Sequence, residues 1–335
     1  MKTTTALVTG GAGFIGSAIV KRLCSLGWKV DIVDDMSNGK LENLSPLSLR
    51  NIHTSFLHIY QQKFESSRVD KDVLMIAGDF AHKLVLERVK ASRYDYIFHV
   101  AARPRVELSV MQPLETFEDN VFKTLALFNA ARGHVKRVIF SSSSSVYGDP
   151  KVHPTPETET KAPCSPYAQQ KCDVENYAAL WRDLYGTDIV SLRYFNVYGP
   201  GCFGDSPYST AIAAWCQALR DGNPLRKDGD GDQSRDLTYI DDVVESNVLA
   251  ALCENEIAGE CFNVAGGNCI SNNQILDMLR DSLGRFRLIL APTRVGDVRK
   301  TEADLGKSSK LLGYAPKTTF EDGFDKTIRW WGLKN

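Results

Sequence analysis

Short runs of apolar and β-branched residues alternate, along the first half of the chain, with longer stretches whose apolar positions return at helical spacing. TALVT (5–9) is followed by FIGSAIVKRLCSLG and then KVDIV; later come YDYIFHV, a helix running through Asn120 to Arg132, and KRVIF. This rhythm predicts βαβ units and therefore a parallel sheet covered by helices.

Two places depart from the rhythm. The stretch from Lys40 to Lys71, before VLMIAGD resumes the pattern, reads as a helical insertion. After IVSLRYFNVYGPG, Gly, Pro and Asp punctuate the chain around DGNPLRKDGDGDQSRD and APTRVGDVR. That half is loop-rich, as a substrate-binding region is expected to be. No internal repeat, low-complexity linker or charged tail separates the halves, so one continuous body is expected.

Composition narrows the function classes. The chain has 335 residues, 43% of them apolar, enough for one large or two intimately joined domains. Lys plus Arg (40) nearly balances Asp plus Glu (41), for a net charge of -1, so nothing global favours nucleic acid or an anionic membrane. Any anion site must be local. The eight cysteines are scattered, with no C-x-x-C pair and no His at metal-ligand spacing. A reduced, cytoplasmic protein without metal is the expectation. The apolar runs are too short to span a bilayer, and the glycines of KTTTALVTGGAGFIGS do not read as a leader.

Those glycines carry chemistry. TGGAGFIG places Gly10, Gly13 and Gly16 between the first strand and the first helix. There they permit a tight turn, close approach of backbone to a pyrophosphate, and close helix packing, with the helix N-terminus facing the anion. A bland tight turn is the competing reading. The second strand, VDIVDD, ends in Asp34, where a carboxylate can accept hydrogen bonds from ribose hydroxyls and would repel a 2'-phosphate, which argues for NAD over NADP. A turn-forming aspartate is the alternative there.

SPYAQQK sets Tyr167 and Lys171 four residues apart near a helix start, hence on one face. An isolated pair of this kind is more often an exposed helix turn; following a dinucleotide fingerprint it gains meaning. For a phenol to act as a base near neutrality its pKa must fall about three units, roughly 4 kcal/mol. One cation at about 5 Å supplies roughly 3 kcal/mol at an effective dielectric of ~20. Lys171 alone therefore falls short, and the positive nicotinamide of an oxidised cofactor must complete the base.

Together with HVAA (99–102), SSSSSVYG (141–148), RYFNVYGP (193–200), GDGDQSRD (229–236) and RVGDVR (294–299), these motifs resemble the short-chain dehydrogenase/reductase superfamily in its extended form, along nearly the whole chain. The resemblance implies a Rossmann-type doubly wound parallel sheet with a smaller, mixed C-terminal region that binds a nucleotide sugar. It places the NAD domain at 1–192, with a return at about 237–265, and the substrate region at 193–236 and 266–335. It also implies Ser143, Tyr167 and Lys171 as catalytic residues. The cofactor contacts it implies are Gly10, Gly13, Phe14, Ile15, Gly16, Asp34, Asp35, Asn38, Gly39, Asp79, Phe80, Val100, Ala101, Ala102, Asn120, Ser141, Ser142 and Tyr194, with Tyr167 and Lys171. Ser144 and Ser145 stand where similar sugar 4,6-dehydratases carry Asp and Glu, and where decarboxylases carry Glu at the second place. Serine is neither acid nor base at neutral pH, so a reaction of hydride and proton transfer alone is favoured, which is epimerisation.

The second half looks like the UDP-sugar epimerases. By that resemblance Asn196 contacts the diphosphate, Arg235 and Arg294 pair with its phosphates, and Asp297 holds the ribose. Thr301, seven residues beyond Arg294, replaces the bulky Tyr of enzymes restricted to glucose and galactose. The tail GDVRKTEADLGKSSKLLGYAPK is similar to that of UDP-N-acetylglucosamine 4-epimerases, implying UDP-GlcNAc and UDP-GalNAc, or their uronic acids, as substrates. Arg103 and Arg105, in ARPRVELS, either bind a substrate carboxylate or lie on the surface. Rival readings are an epimerase of a GDP-, CDP- or dTDP-sugar, a net reductase or dehydrogenase, and a noncatalytic NAD-sensing scaffold. The resemblance further implies a homodimer packed through the helices of Asn120–Arg132 and Tyr167–Lys171, in the supply of glycan or polysaccharide precursors.

Overall fold

The computed structural model describes residues 3–54, 73–204, 210–293 and 298–334. The alternating runs form β1 (Thr5–Thr9), β2 (Lys29–Asp34), β3 (Leu49–His53), β4 (Val73–Ala77), β5 (Tyr96–His99), β6 (Arg137–Ser143) and β7 (Ile189–Tyr194). With the strand Cys261–Val264 they make one eight-stranded sheet, ordered from that strand through β7-β6-β5-β1-β2-β4 to β3. The pairs β3–β4, β4–β2, β2–β1, β1–β5 and β5–β6 are parallel. Strand order reverses between β1 and β5, and at such a switch point the connections leave in opposite directions and open a crevice beyond the strand ends.

Apolar strands buried on both faces explain the continuous hydrophobic runs. Leu7, Val33, Leu74, Ile76, Ile97 and Val138 pack with Val85 and Val89 of helix Lys83–Lys90, with Leu127 and Phe128 of helix Lys123–Ala131, and with Val174 and Ala178 of helix Pro166–Tyr185. Truncating one such side chain to alanine is expected to cost about 2–5 kcal/mol.

The Lys40–Lys71 stretch is not the helical insertion its composition suggested, as far as it is described. Leu41–Leu44 is a single 3-10 turn, and Leu49–His53 is an added edge strand in register with Val73–Ala77. As an edge strand it is only partly buried, so its sequence mixes polar and apolar residues. Residues 55–72 lie outside the described residues.

The chain divides into two compact units. The first comprises Met1–Ser142, Ser165–Leu192 and Val244–Phe262; the second comprises Ser143–Cys164, Arg193–Val243 and Asn263–Asn335. Segment 143–164, expected with the cofactor domain, falls in the second unit because its bonds run there. The Tyr147 hydroxyl donates to Asn263 Oδ1 (2.7 Å), and the Thr155 backbone exchanges hydrogen bonds with Glu302 and Asp304. Within the second unit Ser234–Asp236 pairs antiparallel with Cys269–Ser271 and parallel with Lys300–Thr301. Helix Asn272–Leu283 starts in a reciprocal Ser271–Gln274 capping box.

Candidate active site

The glycine turn follows β1. Gly10 has φ +68°, and a Cβ there would sit 2.8 Å from the Ala101 backbone, at the β1/β5 switch point. A Cβ on Gly16 would collide with the Gly10 carbonyl. Gly13 is the N-cap of helix Phe14–Ser25; no side chain caps that helix, and its first turn holds no acid. The amide groups of Phe14 and Ile15 therefore face an open, positively polarised end suited to a pyrophosphate. Asp34, 7% exposed, accepts hydrogen bonds from Ala12 N–H and Met36 N–H, both at 2.9 Å. Burial pushes its pKa up while these amides oppose the shift. Gly39 packs so close to Asp34 that any Cβ would meet its Oδ1 at 2.7 Å.

Around this turn lie the other expected cofactor residues of the first unit. Asp79 Oδ1 accepts from Ala81 N–H (2.8 Å) after β4, and the Phe80 ring meets His99 edge-on at 4.9 Å. Val100, Ala101 and Ala102 follow β5, where Ala101 N–H donates to Thr9 Oγ1 (3.3 Å). Backbone cradles that a single Cβ would fill, an uncapped helix end and a carboxylate at the end of β2 fit a dinucleotide with a free ribose 2'-hydroxyl.

The Tyr167–Lys171 pair begins helix Pro166–Tyr185, which Ser165 caps by accepting Ala168 N–H at 3.1 Å. Tyr167 (9% exposed) and Lys171 (3%) are both buried, so the pair is no exposed helix turn. Lys171 Nζ donates to the Ser141 carbonyl at 2.7 Å and lies 5.7 Å from the Tyr167 ring centre and 4.6 Å from that of Phe140. Burial lowers the Lys171 pKa to about 7, against the opposing pull of Glu175. Ser142 Oγ donates to Glu175 Oε1 at 2.6 Å. Nearby His99, held between Thr9 and Thr124, is driven by burial and by Lys171 to a pKa of about 3, so it stays neutral and takes no part as a base.

Ser143 ends β6 and caps the short turn Ser144–Tyr147. Its Oγ accepts Ser145 N–H at 3.2 Å, which leaves the hydroxyl hydrogen to point elsewhere. In the second unit Asn196 holds a left-handed φ of +34°. Its Nδ2 donates to the Asp236 carbonyl (3.2 Å) and to Thr301 Oγ1 (3.0 Å), while Arg235 stands opposite Thr301 in register. Three expected substrate residues thus meet. Burial raises the pKa of the neighbouring Asp236 to about 6, against the backbone amides of Ala303 and Gly267 that donate to it. Tyr194 is buried at the end of β7. Arg294 and Asp297 lie outside the described residues.

Comparison with known proteins settles the family, since the profile described as the NAD dependent epimerase/dehydratase family matches residues 6–265. The chain belongs to this family. NAD is the cofactor that membership brings, and the glycine turn and Asp34 fit it. A UDP-glucose 4-epimerase of Mycolicibacterium smegmatis is 34% identical over 337 residues, covering 98% of this chain and 99% of the relative. A UDP-glucuronate 4-epimerase of Thermodesulfobacterium geofontis is 31% identical, covering 97% and 95%. Among solved structures, a UDP-N-acetylglucosamine 4-epimerase from Methanobrevibacter ruminantium, in complex with UDP-N-acetylmuramic acid, superposes with a TM-score of 0.85 at 34% identity, covering 99% of each chain.

Three of the expected site residues bond within the protein. Arg103 is held by Asp35 (3.0 Å) and Asp119 (2.9 Å), and Arg105 donates to Asn38 Oδ1 (3.2 Å). Both arginines therefore lie against the residues that follow β2, on the expected cofactor side, engaged by the protein's own acceptors. Asn120 accepts Arg103 N–H (2.7 Å) and donates to Gln170 Oε1 (2.8 Å) and the Arg103 carbonyl (3.2 Å). It braces the loop after β5 against helix Pro166–Tyr185. Sequence reasoning missed Ser109, whose Oγ accepts Tyr167 N–H at 3.0 Å, and the buried Glu175. Glu175 had one readable signal, its spacing of four residues from Lys171.

Proposed function

We propose that the chain is a UDP-sugar 4-epimerase whose substrates are UDP-N-acetylglucosamine and UDP-N-acetylgalactosamine. The observation that carries this reading is the buried Tyr167–Lys171 pair anchored on the carbonyl of Ser141, within a serine run that offers no carboxylate for expelling water. Bound NAD supplies the redox partner for carbon 4 of the sugar. Tyr167, as phenolate, takes the proton of the 4-hydroxyl, and Ser143, whose acceptor side is occupied by Ser145 N–H, donates a hydrogen bond to the same oxygen. When the flat 4-keto sugar has turned over, Tyr167 returns the proton on the other side. Lys171 lowers the phenol pKa. One cation at about 5 Å from the phenolate is worth about 3 kcal/mol at an effective dielectric of ~20. This falls short of the roughly 4 kcal/mol required, so the phenolate forms only in the loaded site.

Relatives named for glucose, glucuronate and N-acetylglucosamine stand at 31–34% identity, so they do not choose among sugars. Thr301 supports the N-acetyl sugars: its hydroxyl accepts from Asn196 and from Asp236 N–H, so toward a substrate it offers small size. The acceptors that engage Arg103 and Arg105 weigh against uronic acids as the main substrates. Arg235 supports a diphosphate, as does Arg294 by sequence, and Asp297 by sequence supports the ribose; the Asn196 amide hydrogens would have to leave their present acceptors to reach the diphosphate.

A homodimer is part of the proposal. Val110, Met111, Leu114, Phe117 and Phe122 are 45–80% exposed along the segments beside the catalytic helix, which itself exposes Leu180 and Leu184. An apolar strip of this kind is the mark of a covered face. The cytoplasmic supply of amino-sugar donors for glycan assembly completes the proposal. Incubation with UDP-N-acetylglucosamine tests the reading: conversion to the galacto epimer without net change in nicotinamide absorbance is expected, and net oxidation or reduction would refute it.

A further inference from the structure

Tyr167, Lys171 and Glu175 follow one another at four-residue steps along helix Pro166–Tyr185 and share its buried face. Two bonds tie this face to consecutive residues of β6. Lys171 Nζ donates to the carbonyl of Ser141 at 2.7 Å, and Ser142 Oγ donates to Glu175 Oε1 at 2.6 Å. Lys171 is 3% exposed and Glu175 is 2% exposed. A buried carboxylate is costly to desolvate, and glutamine would fill the same space and accept the same serine hydrogen bond without that cost. The charge itself is what glutamine lacks.

The surroundings of Lys171 indicate what the charge does. From β6 it meets the Phe140 ring face and the Ser141 carbonyl, and from β5 it faces His99, which is neutral. From its own helix come Tyr167 and Glu175. Burial disfavours the charged form of Lys171, and Glu175 is the acidic group that opposes this. A neutral lysine amine gives no help to a phenolate.

We infer that Glu175 is a positioning residue: its carboxylate keeps the Lys171 ammonium charged and seated on the Ser141 carbonyl, and thereby makes Tyr167 a base. The inference rests on the reading of Tyr167 and Lys171 as the base pair. It explains why the second bond of the helix to β6 uses an acid, and it extends the working set from two residues on this helix to three.

Two substitutions separate charge from shape. Glu175→Gln keeps the shape and the acceptor for Ser142; Glu175→Asp keeps the charge and shortens the reach. The readout is the titration of the Lys171 amine in the NAD-loaded protein, followed by NMR of isotope-labelled lysine and identified by its loss in Lys171→Met. Glu175→Gln should move this titration down by about one unit or more, the size expected for losing an opposite charge at close range, while Glu175→Asp keeps it near wild type. A merely structural carboxylate predicts the opposite order, with Gln harmless and Asp damaging, and that result overturns the inference. Where Glu175→Gln melts too early to titrate, the wild-type chain decides: carbonyl chemical shifts of Glu175 that show it protonated at neutral pH would equally overturn it. Turnover of Tyr167→Phe and Lys171→Met is measured alongside. Retained turnover there would sink the base-pair reading, whereas lost turnover with an unmoved lysine titration in Glu175→Gln would sink only the role of Glu175.

Discussion

The Lys171 ammonium nitrogen lies 5.7 Å from the centre of the Tyr167 ring, and both side chains are buried. On the proposed reading this cation favours the phenolate form of Tyr167 without displacing substrate. Removing the hydroxyl should therefore stop chemistry and spare binding. Tyr167→Phe is expected to lower kcat by about 10²–10⁴ while NAD binding, measured by calorimetry, stays near wild type.

Lys171 also leaves a mark on stability. Its folded pKa of about 7 lies below its ordinary value of 10.5, so between those values the unfolded chain holds a proton that the folded chain has released. Stability from this residue rises with pH across that window and is lowest below it. In the absence of ligands, the stability difference between wild type and Lys171→Met should shift toward wild type, on the order of a few kcal/mol, as pH rises through this range. Denaturant titrations at the two ends of the window check the sign.

Arg103 joins Asp35, after β2, to Asp119, and β1 with its glycine turn lies between β5 and β2 in the sheet. The bridge therefore runs across the place where a dinucleotide is expected. Exposed pairs are each worth about 0.2–1 kcal/mol, so Arg103→Ala should speed NAD release several-fold with the KM for the sugar nucleotide unchanged. Stopped-flow release of NAD at low and high salt measures this. A change confined to the KM of uronic acid substrates would instead restore Arg103 as a carboxylate reader.

Thr301 presents a small side chain whose hydroxyl is held by Asn196. Filling that space should discriminate by size. Thr301→Tyr is expected to lower kcat/KM for UDP-N-acetylglucosamine at least about tenfold while sparing UDP-glucose, and parallel assays of the two sugars check it.

What could be read from the sequence had local causes. β1, β2 and their glycine turn, and the Tyr167–Lys171 spacing, depend on neighbours a few residues away, and their pattern is visible in one pass. Leu49–His53 was misread because an edge strand is only partly buried and its mixed polarity imitates a surface helix. The partners of Arg103 lie 16 and 68 residues away in sequence, and no spacing rule links them. Glu175 went unread, because sequence alone does not tell a buried i,i+4 pair from a solvated one. Residues 143–164 were assigned to the first unit by chain order, while Tyr147 and Thr155 bond to Asn263 and Glu302 more than a hundred residues later.

The most direct test of the account is proton NMR of the purified chain incubated with UDP-N-acetylglucosamine, with nicotinamide absorbance followed in the same sample. Anomeric signals of the galacto epimer growing to an equilibrium mixture at constant absorbance are the predicted result. Absorbance that changes in proportion to sugar consumed, or an unaltered UDP-N-acetylglucosamine spectrum while UDP-glucose is epimerised, would contradict it.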